Sequence, residues 1–334
     1  MEIKMQKNID LKKGKSSSLQ KFLALGSLVI LYIFFSFFGN NFFSVQTLVN
    51  ILDSSYYIGF LAIGVTFVII TGGIDLSVGT IMMCGALIGG VAYNVWHWPI
   101  ATALVVAVIV STSFGLLNGI MVAKLKLPPF IATLGTMMVS MGFGAIVSRV
   151  MTMRYPTVTD PDGWFKFVFY KTPGSFPIGA VWLAAFFVIS FIILNKTRLG
   201  RYTFAIGSNE EATRLSGVKV DNWKIMVYVI SGFFSGLAAI VYASAYTSII
   251  PSTGNGLELL AIAGVVIGGT SLSGGIGTVS GTLIGVFIMS VLKQGLMSMN
   301  LQGQWQTFFT GIVVIGAVLL DTYRNSKANQ IKKD

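Results

Sequence analysis

Two glycine-rich interruptions, 196 residues apart, break long apolar runs in this chain of 334 residues. Residues 72–89 read GGIDLSVGTIMMCGALIG, and residues 268–285 read GGTSLSGGIGTVSGTLIG. Aligned without a gap, the two stretches are identical at nine of eighteen positions, which is more than a shared apolar composition should give. We therefore predict an internal duplication. Interrupted segments at matching positions of two halves are typical of the solute path of a membrane transporter.

The first interruption holds a single carboxylate, Asp75, between the apolar runs. An ionisable side chain at membrane depth is costly, so it is expected to face a bundle interior, a cavity or a partner. The competing interpretation is that Asp75 caps a helix in a tight turn at the membrane surface. The second interruption has Ser271 in the place of Asp75, so the two halves are not chemically equal. We predict that Asp75, Ser77, Ser271 and Ser273 lie along the substrate path.

The composition is that of a membrane protein. Hydrophobic residues make up 54% of the chain and charged residues 10%, with a mean hydropathy of +0.78. A soluble core of this length does not need so much apolar sequence, and several runs reach the ~17–25 residues that cross a bilayer. The predicted class is an all-α polytopic membrane protein surrounded by lipid. The net charge of +11 gathers at the chain ends and in one long loop, which indicates membrane orientation rather than a nucleic-acid partner.

The apolar runs predict about ten transmembrane helices with both termini in the cytoplasm. A basic cytoplasmic tail (residues 1–21) precedes a transmembrane domain (residues 22–322), and a second cytoplasmic tail (residues 323–334) follows it. The predicted spans are residues 22–38, 54–70, 76–93, 100–122, 130–147, 178–194, 225–245, 257–269, 276–292 and 308–320.

Three details of this topology are less regular. Residues 42–53 look like a separate short amphipathic segment on the outer face. Lys293 and Asp321 lie near predicted span ends, where they are expected to snorkel to the interface. The pattern leaves open whether residues 54–93 and 257–292 form full spans or half-helices.

The loop of residues 195–224 is the most polar part of the chain interior. It carries six Lys and Arg against three acids, which predicts a cytoplasmic location. Within it, residues 207–217 predict a short helix, because Ser208 or Asn209 can cap it and Gly217 can end it. On this pattern alone, the helix is either an ordinary solvated surface helix or a docking helix for a partner.

Several polar residues lie inside predicted spans. Asn118, Thr133 and Thr136 are candidates for hydrogen bonds to a solute hydroxyl or, as is commoner, to a neighbouring helix. Glu258 is expected to stabilise a helix N-terminus. Glycines four residues apart predict close helix packing, and these pairs are Gly115/Gly119, Gly232/Gly236, Gly264/Gly268 and Gly281/Gly285.

Motifs for catalysis are missing from the sequence. No Gly-x-x-x-x-Gly-Lys-[Ser/Thr] loop for nucleotide phosphates occurs, and no nucleophile, base and acid stand in a catalytic pattern. One cysteine and one histidine make an ordinary zinc site improbable. We therefore expect a protein that is not an enzyme and that holds no metal or cofactor of its own.

Four stretches together resemble one transporter family. They are Thr-Gly-Gly-Ile-Asp-Leu-Ser-Val-Gly (71–79), Gly-Leu-Leu-Asn-Gly (115–119), Pro-Pro-Phe-Ile-Ala-Thr-Leu-Gly-Thr (128–136) and Gly-Arg-Tyr…Ala-Ile-Gly-Ser-Asn-Glu-Glu-Ala (200–212). The chain is similar, over nearly its whole length, to the transmembrane permease subunits of ribose-, xylose- and galactose-type ABC sugar importers.

The resemblance implies a function and a set of partners. Residues 22–322 would be the permease domain of the cytoplasmic membrane, moving a monosaccharide by alternating access. A separate ATPase subunit would bind ATP, a periplasmic or extracellular sugar-binding protein would deliver the sugar, and a second permease subunit, identical or different, would complete the path. The loop of residues 195–224 would couple to the ATPase through Ser208, Asn209, Glu210, Glu211, Ala212 and Arg214.

One alternative belongs to another class of transporter. In a secondary transporter, a gradient of H⁺ or Na⁺ would drive uptake, and Asp75 would be the ion site. The acidic start of the predicted cytoplasmic helix and the scarcity of other buried acids favour the ATP-driven class. The motifs are common to permeases for ribose, xylose, galactose and other small solutes, so they do not name the sugar.

Overall fold

A computed structural model describes residues 22–171 and 176–330 of the chain. The predicted tail of residues 1–21 and the last residues of the second tail, 331–334, lie outside this description. The described residues form thirteen helices and two short strands: α1 (Phe22–Phe38), α2 (Val45–Ile70), α3 (Val78–Asn94), α4 (Ile100–Ala123), α5 (Pro129–Val147), β1 (Met153–Arg154), α6 (Trp164–Phe169), α7 (Ile178–Lys196), α8 (Arg198–Ser208), α9 (Glu210–Leu215), α10 (Val220–Tyr246), β2 (Ser248–Ile249), α11 (Leu257–Ile267), α12 (Val279–Ser298) and α13 (Gly303–Gln330).

Seven of these helices are long and apolar enough to cross a membrane: α2, α4, α5, α7, α10, α12 and the part of α13 up to Tyr323. Three shorter apolar helices, α1, α3 and α11, follow predicted spans closely. The all-α, multi-helix character expected from the composition is therefore confirmed, while a total of about ten spans and the sides of the termini stay predictions.

Contacts between loops define two ends of the bundle. At one end, Ile70 of α2 accepts a hydrogen bond from Gly275 N at 2.8 Å, and Lys126 pairs with Asp221 of α10 at 2.9 Å. We call this the basic end, because α8, α9 and the lysines and arginines of residues 195–224 gather there. At the other end, the far end, Tyr155 N donates to Thr247 O at 2.7 Å beside the antiparallel pair β1–β2.

Helix α2 corrects one prediction. Residues 42–53 are not a separate amphipathic segment: the chain is helical without interruption from Val45 to Ile70, over 26 residues. Ser44 caps the helix by accepting a hydrogen bond from Thr47 N at 3.2 Å. Neither Gly nor Pro interrupts residues 45–58, and Ile51 is already buried, so tertiary packing continues the helix where sequence reasoning divided it.

The core of the bundle surrounds α2 and α3. Nineteen of the 26 residues of α2 and fifteen of the 17 residues of α3 are buried. A helix that is apolar on all sides belongs in the interior of a membrane bundle, away from both water and lipid. Helices α7 and α13 are exposed over most of their surface, so they lie at the periphery.

Glycines bring α4 and α10 into backbone contact. A Cβ added to Gly115 would lie 2.8 Å from the Cα of Gly232, and one added to Gly236 would lie 2.7 Å from the Cα of Val108. Gly119 meets Ile225 in the same way, at 2.8 Å. The predicted use of Gly115/Gly119 and Gly232/Gly236 for close packing is confirmed.

A second glycine contact joins α11 to α12. A Cβ added to Gly264 would lie 3.2 Å from the carbonyl carbon of Gly285, and one added to Gly268 would overlap the backbone of Gly281. The predicted pairs Gly264/Gly268 and Gly281/Gly285 therefore pack against each other. Helices α2 and α3, the corresponding pair in the first half, have few contacts with one another. The two glycine-interrupted hairpins therefore differ: α11 and α12 pack closely together, whereas α2 and α3 do not.

Helix α11 is short for a membrane span. Its 11 residues reach about 16 Å, against a hydrocarbon core of ~30 Å. Glu258 in its first turn accepts hydrogen bonds from Gly256 N at 2.8 and 3.0 Å, which is the expected role at a helix N-terminus. This turn lies beside the start of α3, because a Cβ added to Gly79 would lie 2.9 Å from Glu258 Oε2.

The α11–α12 contact generates a stability prediction. In Gly285→Ala the new Cβ overlaps the backbone of Gly264, so overpacking should destabilise the protein by about 1–3 kcal/mol. Gly311→Ala on α13 is the matched control, because a Cβ there meets nothing within 4 Å. Thermal unfolding in detergent measures both. Equal midpoints for the two variants would contradict the packing described.

Candidate functional site

Both interruptions begin with the same backbone motif. Gly72 has φ +79° and Gly269 has φ +94°, and each donates to the carbonyl three residues earlier, on Ile69 and Val266 respectively, at 2.9 Å. The next residue in each half donates to the carbonyl five residues earlier, at 3.1 and 3.2 Å. This ending places a residue in the left-handed region, where glycine carries no steric penalty. The shared motif supports the predicted duplication.

A side-chain turn follows in both halves. Ser77 N donates to Asp75 Oδ1 at 3.0 Å, and Ser273 N donates to Ser271 Oγ at 3.2 Å. The two turns lie 196 residues apart, as the alignment predicts. Beyond them the halves diverge, because α3 begins at Val78 whereas α12 begins only at Val279. We call residues 71–77 the first break and residues 268–278 the second break.

Asp75 is the centre of a buried network at the first break. Its exposed fraction is 0%, and Oδ1 also accepts from Ser77 Oγ at 2.6 Å. Oδ2 accepts from Ser231 Oγ on α10 at 2.8 Å. Asn118 Nδ2 on α4 donates to Ser77 Oγ at 2.8 Å. One carboxylate thus fixes the break against two neighbouring helices, and Asp75 faces the protein interior rather than lipid.

Of the two threonines of α5, Thr133 lies at the edge of this network and Thr136 lies outside it. Thr133 Oγ1 lies 3.4 Å from Ile74 O in the first break and 2.9 Å from Pro129 O in its own helix. Thr136 is buried but takes no part in the hydrogen bonds around Asp75. The structure therefore brings Asp75, Ser77 and Asn118 together, with Thr133 at the edge.

Two polar atoms beside the first break retain hydrogen-bonding capacity. Among the described residues, neither Asn118 Oδ1 nor Tyr228 Oη has a hydrogen-bond partner, although both are buried. Tyr228 lies against the break, since a Cβ added to Gly73 would be 2.8 Å from its hydroxyl. Buried polar atoms normally have partners, so these two mark a place for water or for a polar solute.

The second break obtains its carboxylate from a distant helix. Asp321 on α13 accepts from Ser271 Oγ at 3.2 Å and from Leu272 N at 3.1 Å. The expectation that Asp321 snorkels to the interface was wrong, because this side chain binds the break. Ser273 is exposed, whereas Ser271 is buried. Each break is therefore held by a carboxylate. Asp75 belongs to the first break itself, whereas Asp321 reaches the second break from α13.

Lys293 is likewise not a snorkelling residue. Its Nζ donates to Tyr57 Oη at 2.8 Å, and Tyr57 is a buried side chain of α2. Tyr57 also stands edge-on to Tyr242, with ring centroids 5.2 Å apart. A lysine that has an aromatic hydroxyl as its partner can stay within the bundle, because the hydrogen bond offsets part of its desolvation.

The two breaks contact each other and the loop between spans. Gly275 N in the second break donates to Ile70 O at the end of α2, and a Cβ added to Gly274 would lie 2.9 Å from Gly72 N. Gly207 of α8 lies between them, because a Cβ there would overlap Ile70 O and meet Gly275 N at 2.5 Å. Three segments distant in sequence therefore meet through glycine backbone at the basic end.

The predicted short helix of the loop is α9, Glu210–Leu215. Asn209 is its cap, accepting a hydrogen bond from Ala212 N at 2.9 Å, and Gly217 with φ +83° follows its end. Ser208, the other candidate cap, instead ends α8. Helix α8 was not predicted, although Leu199, Tyr202 and Ile206 recur at the spacing of one helix face.

Ion pairs hold α9 to the start of α10. Glu210 pairs with Lys224 and, at 3.2 Å, with Arg214, which also pairs with Asp221 at 2.8 Å. Partial burial raises the pKa of the Glu210 carboxyl, but the hydrogen bonds and positive charges of Lys224 and Arg214 outweigh it and hold that pKa below its ordinary value. The cluster therefore stays charged at neutral pH.

The outer surface of α9 is free for a partner. Glu211 and Ala212 are exposed, and the Leu215 side chain is 84% exposed at the end of the helix. A large apolar side chain so exposed outside the lipid region is typical of a protein interface. Among the described residues, no group of three or more His, Cys, Asp and Glu could hold a metal ion.

Comparisons with known proteins agree with this architecture. The family model of the branched-chain amino acid transport system/permease component matches residues 47–318. The ribose import permease protein of Bacillus subtilis (strain 168) is 39% identical over 312 residues, which are 92% of this chain and 94% of that protein. The fructose import permease protein of Rhizobium meliloti is 34% identical over 288 residues, which are 85% of this chain and 80% of that protein.

One solved structure shares the fold. It is an inward-facing conformation of a proposed metal-chelate type ABC transporter, and its chain superposes with a TM-score of 0.52 at 18% identity. The match covers 91% of this chain and 99% of that one. At this level of identity the likeness concerns the arrangement of the helices.

The second break generates a prediction about Asp321. In Asp321→Ala, Leu272 N and Ser271 Oγ lose a charged acceptor, so amide exchange in residues 269–278 should accelerate by about tenfold or more. Asp321→Asn keeps one acceptor oxygen, so its amide exchange rate in residues 269–278 should lie between those of the wild type and Asp321→Ala. Hydrogen exchange read by mass spectrometry measures this, with residues 71–77 as the internal control. Acceleration in both breaks alike would indicate general unfolding and contradict the specific contact.

Proposed function

We propose that this chain, which belongs to the branched-chain amino acid transport system/permease component family, is the permease subunit of an ABC importer for a monosaccharide. Its relatives from two bacteria are named ribose and fructose import permeases, and the matches extend over most of both chains. The permease is a transport subunit and not itself an enzyme. ATP is bound and hydrolysed by a separate subunit, in keeping with the missing phosphate-binding loop.

A single contact carries the proposal: Gly207 of the loop between α7 and α10 lies against the end of α2, where the first break begins, and against the second break. In an ATP-driven importer, the subunit that hydrolyses ATP must move the transmembrane helices through such a loop. Because Gly207 brings backbone against backbone, a displacement of α8 and α9 acts directly on the end of α2 and on the second break. Close-packed contacts transmit displacement rather than absorb it.

The orientation follows from charge. The basic end carries Lys124, Lys126 and the cations of residues 195–224, so we place it in the cytoplasm. The far end then faces outwards, where a periplasmic or extracellular sugar-binding protein docks. Both predicted tails, residues 1–21 and 323–334, belong on the cytoplasmic side of the inner membrane.

The docking surface for the ATPase is the outer face of α9. Glu211, Ala212 and Leu215 present an exposed acidic and apolar surface, while Glu210 and Arg214 hold the helix in place through ion pairs. Ser208 and Asn209 fix the junction of α8 and α9. A second permease subunit, identical or related, completes the path against this one, and the sugar crosses by alternating access between them.

The breaks act as the gate of the sugar path. Asp75, Ser77, Asn118, Thr133 and Ser271 are closed inside the subunit, so in this conformation they shape the first and second breaks. Ser273, in contrast, is exposed at the second break. Thr136 completes the predicted set. On opening, the unpartnered Asn118 Oδ1 and Tyr228 Oη are the atoms best placed to bond a sugar hydroxyl.

The decisive experiment is transport in proteoliposomes containing the permease and its ATPase. Uptake of labelled ribose or fructose with the binding protein should require ATP and persist without any ion gradient. Asp75→Asn, which retains an acceptor for Ser77 N but cannot ionise, should keep ATP-driven uptake. Uptake on an ion gradient alone, abolished in Asp75→Asn, would overturn the proposal in favour of a secondary transporter.

The glycine contact gives a separate prediction. In Gly207→Ala the added methyl group overlaps Ile70 O, so the loop should be displaced and coupling should fall by about tenfold. The ratio of sugar molecules transported to ATP hydrolysed, measured in the same proteoliposomes, reports this directly. Gly142→Ala on α5, where a Cβ meets nothing within 4 Å, is the control and should keep the normal ratio. An unchanged ratio of sugar transported to ATP hydrolysed in Gly207→Ala would show that ATP hydrolysis is coupled to transport through another contact.

A further inference from the structure

A cavity of about 360 Å³ opens at the basic end between the start of α8 and the link from α9 to α10. Arg198 and Lys219 contribute cations to its wall, Tyr202 and Trp223 contribute aromatic rings, and Asn222 contributes an amide. None of these side chains belongs to the two breaks or to the exposed face of α9. The cavity therefore needs an explanation of its own.

The two cations of the cavity have no acidic partner among the described residues. The acids nearest in sequence are engaged elsewhere: Glu210 pairs with Lys224 and Arg214, and Asp221 pairs with Arg214 and Lys126. Arg198 and Lys219 form no ion pair with any described acid, so the cavity carries uncompensated positive charge. Two cations and an amide are the donors that suit a phosphate group, and the space leaves room for a group attached to it.

The wall of the cavity continues into an apolar stripe on α10. Trp223, Met226, Ile230 and Phe233 recur at intervals of three and four residues, so they share one face of the helix. Met226 is 46% exposed and Phe233 36% exposed, while Trp223 and Ile230 are half-buried, so this face is partly exposed alongside the bundle. From Trp223 to Phe233 the helix rises about 15 Å, which is half of a hydrocarbon core of ~30 Å.

The rings at the mouth of the cavity are suited to a membrane interface. Tyr202 and Trp223 pack together with ring centroids 4.9 Å apart. Tyrosine and tryptophan favour the level of lipid headgroups, because one end of each ring is apolar and the other is polar. The aromatic pair therefore stands between the charged cavity and the apolar stripe.

We propose that this cavity binds the phosphate of an anionic phospholipid of the cytoplasmic leaflet, with an acyl chain lying on the stripe of α10. Arg198 and Lys219 bind the phosphate, Asn222 donates to it, and Trp223 covers the glycerol region. An acidic side chain of a partner protein would match the cations but would leave the apolar stripe uncovered. The continuity of cavity and stripe is what favours a lipid.

The test uses the purified full-length permease, incubated with phosphatidylglycerol or phosphatidylcholine and examined by native mass spectrometry. Phosphatidylglycerol should be retained and phosphatidylcholine should not. The double variant Arg198→Gln/Lys219→Gln should retain about tenfold less phosphatidylglycerol. The matched control Lys196→Gln/Arg201→Gln removes the same charge from neighbouring exposed positions outside the cavity wall and should retain it normally.

Further arms separate the remaining possibilities. The charge-preserving variant Arg198→Lys/Lys219→Arg should keep phosphatidylglycerol binding, which shows that the loss is one of charge and not of folding. Equal loss of phosphatidylglycerol binding in Arg198→Gln/Lys219→Gln and in the control Lys196→Gln/Arg201→Gln would overturn the proposal. Equal retention of phosphatidylglycerol and phosphatidylcholine by the wild type would also overturn it. Competition by inorganic phosphate as effective as that by phosphatidylglycerol would assign the cavity to free phosphate. Normal lipid retention with failed ATPase assembly in Arg198→Gln/Lys219→Gln would assign it to a protein partner.

Discussion

The need to satisfy freed backbone groups away from water governs this fold. Where a membrane helix stops inside the bundle, its polar groups must find partners in the protein. Asp75 meets this need at the first break, because its two oxygens accept from Ser77 N, Ser77 Oγ and Ser231 Oγ. The same hydrogen bonds tie the break to α10, so one side chain both allows the interruption and fixes its position.

The two halves meet the same need in different ways. The first break carries its own carboxylate, whereas the second takes that of Asp321 from α13. The helices on either side also differ, since Gly264 and Gly285 bring α11 and α12 together while α2 and α3 stand apart. The two halves thus share the turn and its helix ending but not their surroundings. If the ATPase acts on both breaks as proposed, such unequal supports predict an unequal response of the two.

Sequence reasoning succeeded where the signal is local. Apolar runs located the long helices, Asn209 and Gly217 bounded α9, and glycine pairs identified the close helix contacts. It failed where the partner is distant: Ser231 lies 156 residues from Asp75, and Asp321 lies 50 residues from Ser271. A serine or aspartate inside an apolar run signals that a partner exists, but only the packing of helices decides which one.

The shortness of α11 has a consequence for the energy of crossing. The free-energy cost of moving a polar solute through hydrocarbon rises with the distance over which it lacks both water and protein dipoles. Because α11 starts beside Gly79, the Glu258 carboxylate in its first turn lies next to the start of α3. Under the proposed alternating access, the apolar layer between this carboxylate and the second break is about the 16 Å length of α11 rather than a full ~30 Å, so smaller displacements of the two breaks would change access.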